Sequence, residues 1–412
     1  MALQFVRRLQ IRLIWLFALT MAAPSLAHAA VLQVGPGRQF HNIARAVRAA
    51  RPGDIIKVWP LPNGRAYRRV AVLMQKPRVT IESAIPGRYV KINGRGFDYS
   101  GRQPLPRAIF QFDPAASDCT LSGFDLADAH NNSSNGAGVR INAANHIVIR
   151  NCYIHGNDMG IMSNGELAHH TGSQQIIEDC LITKNGTFHQ AGYNHNLYLA
   201  GTSALIRGCE ISDSLTGHNL KSRAHITWVE YCYIHGSANR ELDLVDDRGN
   251  TDQPHSDAVV LGCFIIKKKN MSGNREVINF GRDGGANHTG TLYLIHNTIV
   301  TPYYTGVLVI SAPGARLVMA DNKIINPSHR AVLVDCINGG RWGNVKGAGN
   351  WISPAYGSLA RRFGGPMIPW RKVKLPWSRI HLRPQPLMRF AGIGHLIRYH
   401  QPQPGAGPLR LP

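Results

Sequence analysis

The chain has 412 residues, 44% of them hydrophobic, with 42 glycines and a formal charge of +22. That is enough apolar material for a large core, and the glycine content with few long apolar runs argues against a helical protein. So basic a chain suits a polyanionic partner, yet it carries no nucleic-acid-binding motif, so nucleic acid is not the expected partner.

Residues 1–29 read as an export leader. Arg7, Arg8 and Arg12 precede the apolar run "LIWLFALTMAAPSLA", and Ala27-His28-Ala29 offers a small-x-small cleavage site. The run is short for a membrane span, so the expectation is a mature chain in the periplasm or outside the cell, with no span and as a monomer. There the polyanion to expect is an acidic polysaccharide. A short amphipathic helix is expected near the start, because Phe40, Ile43, Ala44 and Val47 fall at helical spacing.

Further along, one unit recurs. The segments "HIVIRNCYIHG", "QQIIEDCLITK", "SALIRGCEISD", "ITWVEYCYIHG", "AVVLGCFIIKK", "LYLIHNTIVTP" and "LVMADNKIINP" align at Cys152, Cys180, Cys209, Cys232, Cys263, Asn297 and Asn322, at spacings of 23 to 34 residues. Units of this size with two or three short strands each are the signature of a solenoid. A second strand recurs as "HNLYLAG" from His195, "HNLKSRA" from His218, "RELDLVD" from Arg240 and "REVINFG" from Arg275. Side chains alternate along a strand, so the third and fifth places are expected inside, with Ser163, Ser222 and Asn279 among the apolar residues there. The cysteines then form an internal stack and not disulfides. Rungs lie ~4.8 Å apart with parallel Cβ vectors, whereas a disulfide prefers a closer pair.

This pattern resembles the right-handed parallel β-helix of the pectate-lyase-like superfamily. The opening "VGPGRQFHNIARAVRAARPGDIIKV" is similar to that superfamily's start: strand, capping helix, then "PGD" into the first coil. The resemblance implies an all-β parallel β-helix over residues 30–335, on a scaffold that hosts lyases, hydrolases, epimerases and inert spikes. The helix would cap the open end of the hydrophobic column. Beyond Cys336 the repeat fades into an irregular basic segment, 336–412, rich in Pro and Arg, with twelve Lys or Arg and no Asp or Glu.

The second, fourth and sixth places of the strands are expected to face out, and chemistry concentrates there in a few adjacent coils. Stacking puts Tyr198, Lys221 and Asp243 in one row. Asn196, Asn219, Glu241 and Glu276 form the row beside it, with His195 and His218 at the edge. Such a patch suits β-elimination of a uronide. Lys221 is the expected base, working as a neutral amine that neighbouring Arg223 or a bound cation would favour. Arg223 would grip the substrate carboxylate, and Tyr198 or His218 would serve as acid. Ca²⁺ held by Glu241, Asp243 and Glu276 is chemically coherent with this. Asn196, Asn219, Arg140, Arg240 and Lys268, the last in the lysine run 267–269, are expected to line the substrate groove. "NLKSRA" resembles the lysine-bearing strand of the alginate and chondroitin lyase group, which has Lys followed by Ser and an arginine in the next coil. Here Arg240 precedes the acidic strand, and the row neighbour is Asp243. A C5-epimerase, a glycoside hydrolase using Asp243, Asp246, Asp247 or Glu241, and a non-catalytic polysaccharide-binding solenoid are the competing readings.

Overall fold

The computed structural model describes residues 29–102, 105–190 and 192–366. The leader up to His28 and the basic tail from Met367 lie outside the described residues. Among the described residues, thirty-one short strands wind into a right-handed parallel β-helix, as expected. Its strands fall into a 20-stranded and an 11-stranded sheet. The larger sheet is two stacks of strands, so the coil has three faces. The first includes Ala137–Asn142, Met159–Asn164, Leu242–Val245 and Ile278–Gly281; the second includes Val148–Arg150, Gln175–Glu178 and Ala258–Leu261. The two stacks merge where Leu197–Arg207 and Leu220–Glu230 run straight through the corner, each eleven residues long.

The interior is a column of Ile, Leu, Val and Phe, nearly all without exposure. Each such side chain removed from water contributes about 1.5–3 kcal/mol. Every coil adds one more layer, and this is why the third-place Val, Ile and Leu recur so steadily. Cys119, Cys152, Cys180, Cys209, Cys232 and Cys263 are buried free thiols, and Asn297, Asn322 and Asn350 continue the column. Here amides replace thiols: Asn297 Nδ2 donates to Asn322 Oδ1 at 3.0 Å, and Asn322 Nδ2 to Asn350 Oδ1 at 2.9 Å. Ser163 and Ser222 face inward as read from the alternation, at 5% and 2% exposure.

Helix α1, Ile43–Ala49, is capped by Asn42, whose side chain accepts from Arg45 N at 3.0 Å. It buries Ile43, Ala46 and Val47 at the N-terminal end of the column. At the other end the coils run past the expected limit at residue 335. Val345–Ala348 pairs with Arg316–Ala320, Trp351–Ile352 pairs with Lys323–Ile325, and a second helix α2, Ser358–Phe363, follows with Phe363 buried. Apolar side chains in these last coils are sparse, and that hides them from a periodicity reading.

Candidate functional site

On the first face, Tyr198 pairs with Lys221 and Lys221 with Asp243, the row expected from the sequence. It exists because Leu197, Leu220 and Leu242 are fully buried beneath it, and alternation turns the next side chain outward. Met162 and then Arg140 extend the row toward the N-terminal end. In the other direction Asp243 pairs with Asn279, which the sequence reading places inside. The chain slips by one residue at Val277, whose carbonyl accepts from both Glu241 N and Leu242 N. Val277 and Ile278 are therefore both buried, and Asn279 donates from Nδ2 to Asp243 Oδ1 at 3.1 Å.

Asn196, Asn219 and Glu241 do not face out; each has no exposure. They sit in the turn just ahead of each strand, where alternation does not apply, and they form a second internal ladder. Asn157 Nδ2 donates to Asn185 Oδ1 at 3.0 Å, and Asn185 Nδ2 to Asn196 Oδ1 at 2.9 Å. Asn196 Nδ2 then donates to Asn219 Oδ1 at 2.8 Å, and Asn219 Nδ2 to Glu241 Oε2 at 2.6 Å. These residues bind coil to coil and cannot touch a ligand. Glu241 ends the ladder 3.9 Å from Lys267 Nζ, and both side chains are wholly buried. Burial pushes the Glu241 carboxyl up to about 7 and the Lys267 amine down to about 8.

Asp243 is equally buried but surrounded by donors. Its Oδ2 lies 3.3 Å from His218 Nε2 and 3.4 Å from Lys221 Nζ, and Arg240 donates to its Oδ1 at 3.1 Å. Burial alone would raise this carboxyl, but His218, Lys221 and Arg240 outweigh it and hold it far below the usual carboxylate range. Glu276 lies 3.6 Å from Arg240 Nε. The three carboxylates expected to hold Ca²⁺ therefore do not converge: one ends the ladder, one faces three basic side chains, and one faces Arg240. A hard cation needs several oxygens turned toward a common point, so these residues do not fit it. Among the described residues no His, Cys, Asp and Glu cluster has metal-holding geometry.

His195 and His218 stack with ring centroids 5.1 Å apart. His218 N donates to His195 Nδ1 at 2.9 Å, and Arg240 N donates to His218 Nδ1 at 3.1 Å. These backbone donors fix the proton of each ring on Nε2. Burial lowers both histidines, His218 to about 4, so they are neutral. The expected role of His218 as acid does not fit its placement: it is 4% exposed, with Nε2 3.3 Å from the buried Asp243 carboxylate.

Arg223 is the hub of the outward patch. Its Nε donates to Tyr198 Oη at 3.1 Å, its NH1 to the main-chain oxygen of Asp246, and its NH2 to Asp283 Oδ2 at 3.0 Å. Lys221 Nζ donates to the same Asp283 oxygen. Asp283 is absent from the sequence-based site. Its signal was "GRDGG", a carboxylate in a glycine turn just after the strand that carries Asn279. Asp246, buried, accepts from the N–H groups of Asp283, Gly284 and Ala286 at 2.5–2.7 Å. Arg240 is occupied by Asp243 and Glu276. Arg140 bonds Asn142 Oδ1 and Met162 Sδ, two rungs from Tyr198, and burial with nearby Arg107 lowers it to about 10. Lys268 is exposed on the loop leaving the third face. The structure thus brings together Tyr198, Lys221 and Arg223 as outward groups, with His218, Arg240 and Asp243 packed behind them.

No protein-family model and no curated protein matches the sequence. Among solved structures, an alginate lyase from Paenibacillus sp. str. FPU-7 is similar at 16% identity and a TM-score of 0.52, over 77% of this chain and 99% of its own. A DFA-IIIase from Arthrobacter chlorophenolicus A6 has 11% identity and a TM-score of 0.48, over 76% and 87% of the two chains. The pectate lyase Pel9A has 12% identity and a TM-score of 0.44, over 80% and 82%. The likeness is one of fold.

Proposed function

We propose that this protein is an enzyme acting on an acidic, uronate-containing polysaccharide, and that it cleaves the chain by β-elimination. One observation carries the reading: Tyr198 and Lys221 stand in register on adjacent strands, and Arg223 is bonded to the Tyr198 hydroxyl, so a proton acceptor, a proton donor and a carboxylate partner share one outward patch. An alginate lyase of the same fold supports a polyuronate as the substrate class, and the basic chain suits a polyanion.

In this reading Arg223 pairs with the uronate carboxylate and neutralises it, making the C5 proton removable. Lys221, as the free amine, takes that proton. The electron pair of the C5–H bond forms the C4=C5 double bond as the C4–O4 bond breaks. Tyr198 gives its proton to the departing O4, leaving an unsaturated end on one fragment. Asp243, fixed by Arg240 and Asn279, holds Lys221 in place. A pair of hydrolytic carboxylates is not favoured, because Asp243 and Asp246 are buried and committed to other partners. In this reading residues 1–29 act as an export leader and the enzyme works outside the cytoplasm.

The test is the absorbance of unsaturated uronate on incubation with alginate, pectate, glucuronan and glycosaminoglycans, with Lys221→Ala beside the parent protein. Loss of a general base is expected to lower the rate about 10²–10⁴-fold. Exchange of the C5 proton with D2O without cleavage would identify an epimerase instead. A flat trace with no exchange on any polymer would refute the enzyme reading.

A further inference from the structure

Asp283 has an unusual position for a loop carboxylate. Its Oδ2 accepts from both Lys221 Nζ and Arg223 NH2, so one anionic oxygen fills the fork between Lys221 of the row and Arg223 two places further along the same strand. It covers them from the solvent side: the Asp283 side chain is 36% exposed, against 10% for Lys221 and 18% for Arg223. Release needs only the Asp283 side chain to swing away, because its main chain is held: Asp246 accepts from the N–H groups of Asp283 and Gly284, and Ser311 Oγ accepts from Arg282 N.

We propose that Asp283 is an internal competitor of the ligand carboxylate: it occupies Arg223 and Lys221 together until an acidic sugar enters, whose carboxylate takes Arg223 and leaves Lys221 free. This rests on the uronate reading of the same site. A guanidinium donating to a carboxylate oxygen is what a uronate ligand requires, and the Asp283 carboxylate already meets that requirement at Arg223 NH2. A partly exposed ion pair is weak enough to be displaced. Occupancy by Asp283 lowers the apparent affinity by the fraction of molecules in which the fork is open, and a neutral sugar carries no carboxylate to take its place. Its departure also removes one of the two carboxylates beside the Lys221 amine, just as the ligand arrives.

The test is calorimetric titration of the full chain, parent, Asp283→Asn and Asp283→Glu, with tetragalacturonate, tetramannuronate and neutral cellotetraose. Asp283→Asn should bind one or both acidic tetrasaccharides about fivefold or more tightly than the parent. Cellotetraose should be unaffected, and Asp283→Glu should return toward parental affinity. If the parent binds an acidic tetrasaccharide and Asp283→Asn binds it equally or more weakly, the competitor is refuted while the uronate reading stands. If no form binds either acidic sugar, both fall.

Discussion

Asp243→Asn keeps the shape of a fully buried side chain and deletes the charge that Lys221 and Arg240 share. The parent carboxylate lies 3.1 Å from Arg240 and 3.4 Å from Lys221, with Asn279 donating at 3.1 Å. Its folded value is depressed below the ordinary 3.8, so its contribution is fully present above that pH and is lost only as pH falls through the folded value. Removing one partner of a buried pair costs about 3–5 kcal/mol. Here Lys221 retains Asp283 and Arg240 retains Glu276, which puts the expectation at the lower end, about 3 kcal/mol. Equilibrium urea unfolding followed by far-UV circular dichroism reads it, with the same loss expected at pH 5 and pH 7 because the group is ionised at both. The double variant Lys221→Met/Asp243→Asn should recover about 1–2 kcal/mol relative to the summed single losses. A single-variant loss under about 1 kcal/mol, or strict additivity in the double, would show that the row is not electrostatically coupled.

The buried pair at the end of the amide ladder makes stability depend on pH in the opposite sense. Glu241 has a folded value of about 7, above its ordinary 4.5, so its contribution is present below 4.5 and is lost as pH rises through about 7. Between those values the parent should lose up to about 3 kcal/mol relative to Glu241→Gln, while Lys267 titrates above that window; parallel stability curves for the two proteins would rule the linkage out. For the cysteine column, alkylation of denatured but unreduced protein should label all seven thiols by mass. Any pair of cysteines that labels only after reduction would contradict the stack.

Much of this architecture is legible because burial is periodic. The leucines at 197, 220 and 242 fix the row of Tyr198, Lys221 and Asp243, and the aligned cysteines fix the column. The reading fails where a local departure breaks the period. One shared carbonyl at Val277 turns Asn279 from the inside to the site. Asn196, Asn219 and Glu241 look outward by alternation, but they belong to turns, where backbone geometry and amide pairing decide direction. Asp283 was out of reach for another reason: a glycine loop reaches the row through space, and strand spacing says nothing about where its tip lands. Charge counting also misled, since three nearby carboxylates suggested a cation although Glu241 ends the amide ladder and Asp243 and Glu276 both face Arg240.

The two end helices have a consequence beyond closing the column. A stack of parallel strands is a growth template, because its final rung presents unpaired N–H and C=O groups that another chain can extend. At the C-terminal end Asn350 donates from Nδ2 to Phe363 O at 2.8 Å and from N to the same oxygen at 3.3 Å. Phe363, 2% exposed, thereby packs into the core at the last described rungs. The amides that keep coils in register along the column thus also hold the segment that covers it there.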